Sequence, residues 1–207
     1  MRSRTLVLAT AGLTLAVVLT ACGSNDESVT DGMGGMGDSG SDSSSPSSTA
    51  DSGDVAFAQL MIPHHQQAVD MADLALKYAT TTQVKELADQ ITNAQDPEID
   101  QMTQWLQDWG APTAMPSSDG DMGDMDMGGM GEAGMMTEAE MRSLAAARGG
   151  EFDQMWLQMM IAHHEGAIAM AQQVLNTTNI TEVAALANDV VLAQQAEIET
   201  MQLNLTQ

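Results

Sequence analysis

The chain has 207 residues, with 29 Asp or Glu against 6 Lys or Arg, a formal charge of −23 and one cysteine. Such a surface repels nucleic acid and anionic lipid head groups while attracting cations, so nucleic-acid binding is excluded. A single cysteine likewise excludes disulfides within the chain and thiolate metal clusters.

Residues 1–21 carry Arg2 and Arg4, an apolar run from Leu6 to Leu19, and then Thr20 and Ala21 before Cys22. This pattern predicts a secretory signal peptide, too short and wrongly flanked for a stable membrane span. The cysteine directly after it resembles the lipobox of bacterial lipoproteins. That resemblance implies lipidation at Cys22 and a location at the outer face of the cell membrane, held by the lipid anchor only. Loss of Arg2 and Arg4 with the leader would leave the mature chain two charges more negative. Residues 22–53 are mainly Ser, Gly and Asp with scattered Met, cannot bury a core, and predict a disordered tether.

From residue 54 the sequence is duplicated at an offset of 99 residues. Phe57–Leu76 matches Trp156–Leu175 without a gap, and the match resumes from Val84/Val183 to Met102/Met201. Each copy reads as a helical hairpin, residues 54–110 and the second half of 137–207. Short polar connections, Ala79–Thr82 and Asn176–Thr181, are expected to place Thr82 and Thr181 as N-caps. Pro63 and Pro97 predict kinks in continuous helices, with Pro63 alternatively opening a new one. Between the hairpins lies a Met/Gly/Asp-rich loop, residues 111–136. Thr137-Glu138-Ala139-Glu140 is then a capping box, opening a short helix that ends near Gly149 and is expected to pack across one end of the bundle. Two hairpins with one apolar stripe each must bury those stripes against each other. The predicted fold is all-α: an antiparallel four-helix bundle with pseudo-twofold symmetry.

All four histidines fall in the duplicated motif, Met61-Ile62-Pro63-His64-His65 with Met71 downstream, and Met160-Ile161-Ala162-His163-His164 with Met170 downstream. At 100° per residue, His64 and His65 share an arc with Phe57, Met61, Ala68, Met71, Ala72 and Ala75, and so point inward. His163 and His164 do the same with Trp156, Met160, Ala167, Met170 and Ala171. On the partner helices, Gln95 and Glu98 interrupt an apolar face that runs from Val84 to Met102 and Trp105. Gln194 and Glu197 repeat the interruption, with Met201 in the place of Met102. A carboxylate on an inward face is costly unless paired or metal-bound, and its natural partners are the facing imidazoles.

An inward histidine alone is usually a hydrogen-bonded core residue, and methionine at helical spacing is usually packing. The conjunction, repeated twice, points instead to a metal site. Imidazole accepts copper, zinc, iron or nickel, whereas thioether selects soft ions such as Cu(I) and silver. The expected ion is therefore copper, with Met61, His64, His65, Met71, Met160, His163, His164 and Met170 as candidate ligands. Gln95, Glu98, Met102, Gln194, Glu197 and Met201 are candidates for further ligands or for orienting the imidazoles. Met122, Met125, Met127 and Met130 of the loop, apolar side chains where no core can bury them, are candidates for weak thioether capture. A calcium loop starting at Asp124 fits poorly, since Met135 stands where glutamate is needed. Whether the two histidine pairs form one site or two is left open.

The paired motifs, with Phe57-Ala58-Gln59 ahead of one and Glu151-Phe152-Asp153-Gln154-Met155-Trp156-Leu157 ahead of the other, resemble the bacterial domain-of-unknown-function family numbered 305. The resemblance spans about residues 54–205. It implies an exported, ferritin-like helical protein, with copper binding and copper resistance among its members' roles. On that basis the expected function is extracytoplasmic copper or silver binding for sequestration, resistance or delivery, the transfer partner being unidentified.

Other classes find less support. Di-iron bundles need Glu-x-x-His on inward helices, but Met61, Ile62, Met160 and Ile161 stand three residues before the four histidines. His164-Glu165 lacks the second histidine of a zinc-protease helix, and no nucleophile–histidine–acid signature is present, so no enzyme is expected. A ferritin-like metal-dependent oxidoreductase, a non-covalent haem bundle with His and Met axial ligands, and an interaction module with structural histidines are the alternatives.

Overall fold

The computed structural model describes residues 50–114 and 133–206. The signal peptide, Cys22, nearly all of the tether and the loop methionines Met122, Met125, Met127 and Met130 lie outside the described residues. Five helices are present: α1 (Ser52–Tyr78), α2 (Thr82–Asp108), α3 (Glu138–Ala146), α4 (Gly149–Leu175) and α5 (Thr181–Leu205). The described residues contain no strand, and none of their helices is long and apolar enough to cross a membrane.

The hairpins α1/α2 and α4/α5 form as expected, and they face each other chiefly through α1 and α4, with little contact between α2 and α5. Two contacts set an antiparallel register between the inner helices. The His64 and His163 rings meet with centroids 3.8 Å apart, and seven residues along α1 the Met71 carbonyl accepts a 2.8 Å hydrogen bond from Trp156 Nε1–H, seven residues back along α4. The inward arcs expected for both helices are buried, and Gln66, Asp70, Asp73 and Lys77 are exposed. On α2 the apolar face continues through buried Leu106, whereas Trp105 is half-buried and stacks on Trp109.

Both prolines lie inside continuous helices as expected, Pro63 in α1 and Pro97 in α2, and Pro63 does not open a new one. Several other local details differ from the sequence expectation. α1 begins at Ser52, within the stretch assigned to the tether, because Asp51 and Asp54 form a reciprocal capping box. Thr82 and Thr181 are the first helical residues rather than N-caps, and the actual caps, Thr81 and Ile180, make no side-chain cap bond. The start of α2 is satisfied from another helix instead. The Asp153 carboxylate of α4 accepts from Thr80 N–H, Thr80 Oγ1–H and Thr81 N–H at 2.6–3.2 Å. Burial pushes the Asp153 carboxyl up, but the Thr80 and Thr81 hydrogen bonds outweigh it and hold the group below its ordinary value.

The Thr137–Glu140 capping box opens α3 as expected. The helix then runs beside α1 rather than across the end of the bundle. Glu138, Met141 and Arg142 border a groove with Pro63, Gln67 and Asp70, and just past the helix Arg148 lies over the Tyr78 ring at 3.7 Å.

The apolar core is in two parts. One contains Met71, Ala75, Val84, Ile91, Phe152, Trp156, Met160 and Met201. The other contains Phe57, Met61, Met102, Leu106, Ala167, Met170, Val174 and Val190. What separates them is a buried polar layer at mid-bundle made by the histidines and glutamines.

Candidate metal centre

His64, His65, His163 and His164 are each no more than 1% exposed. The antiparallel crossing of α1 and α4 brings both pairs into one layer, where His64 and His163 are in ring contact. The centroids of His163 and His164 are 6.4 Å apart. The glutamates stand where the facing-helix argument placed them. His65 Nε2–H donates to Glu98 Oε2 and His164 Nε2–H to Glu197 Oε2, both at 2.7 Å. Their carboxylates are not fully buried, with 19% and 17% of the side chains exposed, so one end of each reaches solvent.

The same contacts fix the level of the methionines. Counting four residues outward from His65–Glu98 along antiparallel helices brings Met61 opposite Met102, and the two share one core. Counting from His164–Glu197 brings Met160 opposite Met201 in the other core. A thioether pair therefore flanks the histidine layer on each side. Met71 and Met170 are farther away: ten residues separate Met61 from Met71, about 15 Å along the helix. Met71 sits at the level of Trp156, and Met170 borders a small cavity with Phe57 and Leu60. All six side chains are buried. Gln95 and Gln194, each 3% exposed, lie one turn from the glutamates on the side away from Met102 and Met201.

The electrostatics at His64 and His163 favour neutral imidazole. Burial pushes His64 down to about 3; the Ala133 carbonyl opposes the shift, and the neighbouring His65 and His164 add to it. Burial also lowers His163, reinforced by His64, His164 and His65 and opposed by the His64 backbone carbonyl, which approaches the ring without meeting hydrogen-bond geometry. Unprotonated imidazole is the form that binds metal.

Most of the layer's polar atoms are unsatisfied. His64 Nδ1, His65 Nδ1, His164 Nδ1 and both ring nitrogens of His163 are buried without a hydrogen-bond partner, as are Gln95 Oε1, Gln95 Nε2 and Gln194 Oε1. Each such atom costs about 1–3 kcal/mol. Their concentration in one layer fits a site that takes a ligand. Among the described residues no three His, Cys, Asp or Glu side chains gather around one point. A metal held here would therefore need donors other than three converging imidazoles, and the buried thioethers are the candidates. The direct His64–His163 contact leaves no gap for a porphyrin between those rings.

One element of the centre was missed in the sequence. The end of the inter-hairpin loop, Ala133–Met136, lies over the histidine layer as a strap. His64 Nε2–H donates to the Ala133 carbonyl at 3.0 Å. Gln67 holds Met136 from both sides, its Nε2–H donating to the Met136 carbonyl at 2.8 Å and its Oε1 accepting from Met136 N–H at 2.6 Å. On α4 the strap fits only because residue 166 is glycine, since a Cβ there would overlap the Ala133 carbonyl. Gly134, at φ +75°, also leaves no room for a Cβ, which would press on the Ala162 and His163 carbonyls. The signal was present in the duplication: Gln67 and Gly166 occupy equivalent positions, and the repeat diverges there.

No curated protein matches the sequence. Among solved structures, the chain is similar to a DUF305 fragment from Deinococcus radiodurans, at 33% identity and TM-score 0.66 over 76% of this chain and 97% of that one. A DUF305 protein from Streptomyces coelicolor matches at 32% identity and TM-score 0.64, covering 72% of this chain and 88% of that one. CopM in its Cu(II)-bound form matches at 33% identity and TM-score 0.61, over 74% and 95% of the two chains. CopM structures in Cu(I)-bound, silver-bound and apo forms match as well. The sequence profile described as Domain of unknown function (DUF305) matches residues 54–205. The chain belongs to the DUF305 family.

Proposed function

We propose that this protein binds copper, as Cu(I) foremost, and silver, in the buried histidine layer, as a carrier or store and not as an enzyme. The observation that carries the reading is the set of five buried imidazole nitrogens without partners, flanked on either side by buried thioether pairs. Imidazole alone would serve zinc or iron equally; the thioethers bias the site toward soft ions. The metal-bound forms of CopM, a relative at about one-third identity, support the same ions. The ion is cargo. His64, His65, His163 and His164 would hold it with Met61, Met102, Met160 and Met201 adjacent, while Glu98 and Glu197 hold the rings of His65 and His164 in place.

The sequence pattern of residues 1–22 supports export and lipid anchoring at Cys22 on the outer face of the cell membrane. The acidic surface would concentrate cations around the domain. Loop methionines Met122, Met125, Met127 and Met130 would offer weak thioether capture ahead of the buried site.

Competition titrations of the purified chain with Cu(I), Ag(I), Cu(II) and Zn(II) test the reading. Preference for Cu(I) and Ag(I), lost when all four histidines are replaced by Ala, is the expected outcome. Unaltered copper binding in that quadruple variant would reduce the histidines to structural residues.

A further inference from the structure

We propose that Nδ1 is the donor atom of His64, His65 and His164 wherever in the layer an ion is held, and that the Ala133–Met136 strap is the positioning element that gives His64 this role. The proposal rests on the metal-binding reading and specifies its donor atoms. Three of the four rings have Nε2 committed to an oxygen acceptor. For His65 and His164 the acceptors are Glu98 and Glu197; for His64 it is the Ala133 carbonyl. A carbonyl oxygen can only accept, so His64 must carry its proton on Nε2, and an ionised carboxylate imposes the same on its partner. A neutral ring protonated at Nε2 has its lone pair on Nδ1. In all three rings Nδ1 is the buried atom without a partner.

The strap is what makes the two halves of the duplication differ. His163 corresponds to His64, yet neither of its ring nitrogens has a hydrogen-bond partner. The chain returns across the layer once, and the side chains at the equivalent positions 67 and 166 match that single passage. Gln67 grips Met136 on the α1 side, and Gly166 opens the α4 side to the Ala133 carbonyl. A ring with an imposed tautomer presents its lone pair without reorganisation, whereas His163 is free to offer either nitrogen. Outer acceptors of this kind contribute roughly 10–100-fold in metal affinity.

Long-range ¹H–¹⁵N NMR of the histidine side chains, on the apo chain at pH 7.5 and during titration with Ag(I), tests the assignment. In the apo chain His64, His65 and His164 should show the Nε2–H tautomer, and Ag(I) should move their Nδ1 resonances. Gly166→Ala, which displaces the strap, should remove the Nε2–H signature from His64 alone and weaken Ag(I) binding about tenfold. Gln67→Ala, which leaves the α4 groove intact, should act in the same direction more weakly and serves if Gly166→Ala does not fold. An Nδ1–H tautomer at these rings, or metal shifts at Nε2, would overturn the donor assignment while leaving metal binding standing. A His64 tautomer unchanged in both variants would overturn the role of the strap. If no ring nitrogen responds to Ag(I), the metal-binding reading itself falls, and the apo tautomers show which of the two has failed.

Discussion

His64 of the first hairpin and His163 of the second meet as a tilted pair, with ring centroids 3.8 Å apart and planes inclined by 41°. Equivalent residues of a duplicated unit thus meet at the crossing of α1 and α4, and the two histidine pairs share one buried layer. Replacing His64 and His65 together by Ala should therefore lower Cu(I) affinity at the remaining pair by at least tenfold, the scale on which even an outer partner acts. Competition with a Cu(I) chelator measures it. Half the stoichiometry with unchanged affinity would mean independent sites.

The methionines should divide by level. Met61→Leu and Met160→Leu, one turn from the histidines, should weaken Cu(I) binding and leave Zn(II) binding nearly unchanged, because only the soft ion gains from thioether. Met71→Leu and Met170→Leu, volume-conserving changes two turns away, should alter Cu(I) affinity less than twofold and stability by under about 1.5 kcal/mol. Equal effects at all four positions would place the ion elsewhere.

The apo protein should lose stability in mild acid. His64 is held at about 3 in the folded state against about 6.5 for a free imidazole. Between these values the unfolded chain binds a proton that the folded chain does not, so stability rises with pH from about 3 to 6.5 and levels off above. Burial of His163 acts in the same direction. Urea unfolding of the metal-free chain at pH 4.5 and 7.5 should show the difference, and His64→Asn with His163→Asn should reduce it. An identical slope in wild type and the double variant would refute the assignment.

Asp153→Ala should destabilise the fold without altering the donor set of the metal centre. It removes the acceptor shared by Thr80 and Thr81 at the start of α2, which is worth roughly 0.5–2 kcal/mol for a cap of this kind. Thermal unfolding with parallel Ag(I) titration checks both halves of the statement. A full loss of binding with stability retained would assign Asp153 to the site.

Trp156→Phe should cost about 1 kcal/mol, the net value of its hydrogen bond to the Met71 carbonyl, in addition to any loss of packing. Denaturant midpoints measure it. A neutral substitution would mean that the α1–α4 register is set by the histidine layer and apolar packing alone.

Much of this arrangement was legible in the chain itself. Helical periodicity alone turned His64, His65, His163 and His164 inward, since a 100° step fixes which residues share a face. The 99-residue duplication required two equivalent hairpins, and Glu98 and Glu197 could be assigned to imidazole because an inward carboxylate needs a partner. Position along the axis was not legible. Met61 and Met71 share a face, but the histidine layer lies between them, and only the α1–α4 crossing puts them in different cores. The N-caps failed for a related reason: Thr82 and Thr181 matched the local rule, but α2 takes its cap from Asp153, on a helix more than seventy residues away in sequence. The strap is the extreme case. Gly166 and Gln67 break an otherwise close repeat, yet a divergence in sequence does not say what passes between two residues. Periodicity determines direction around a helix; level along it, and the backbone that closes over it, come only from the packing of distant segments.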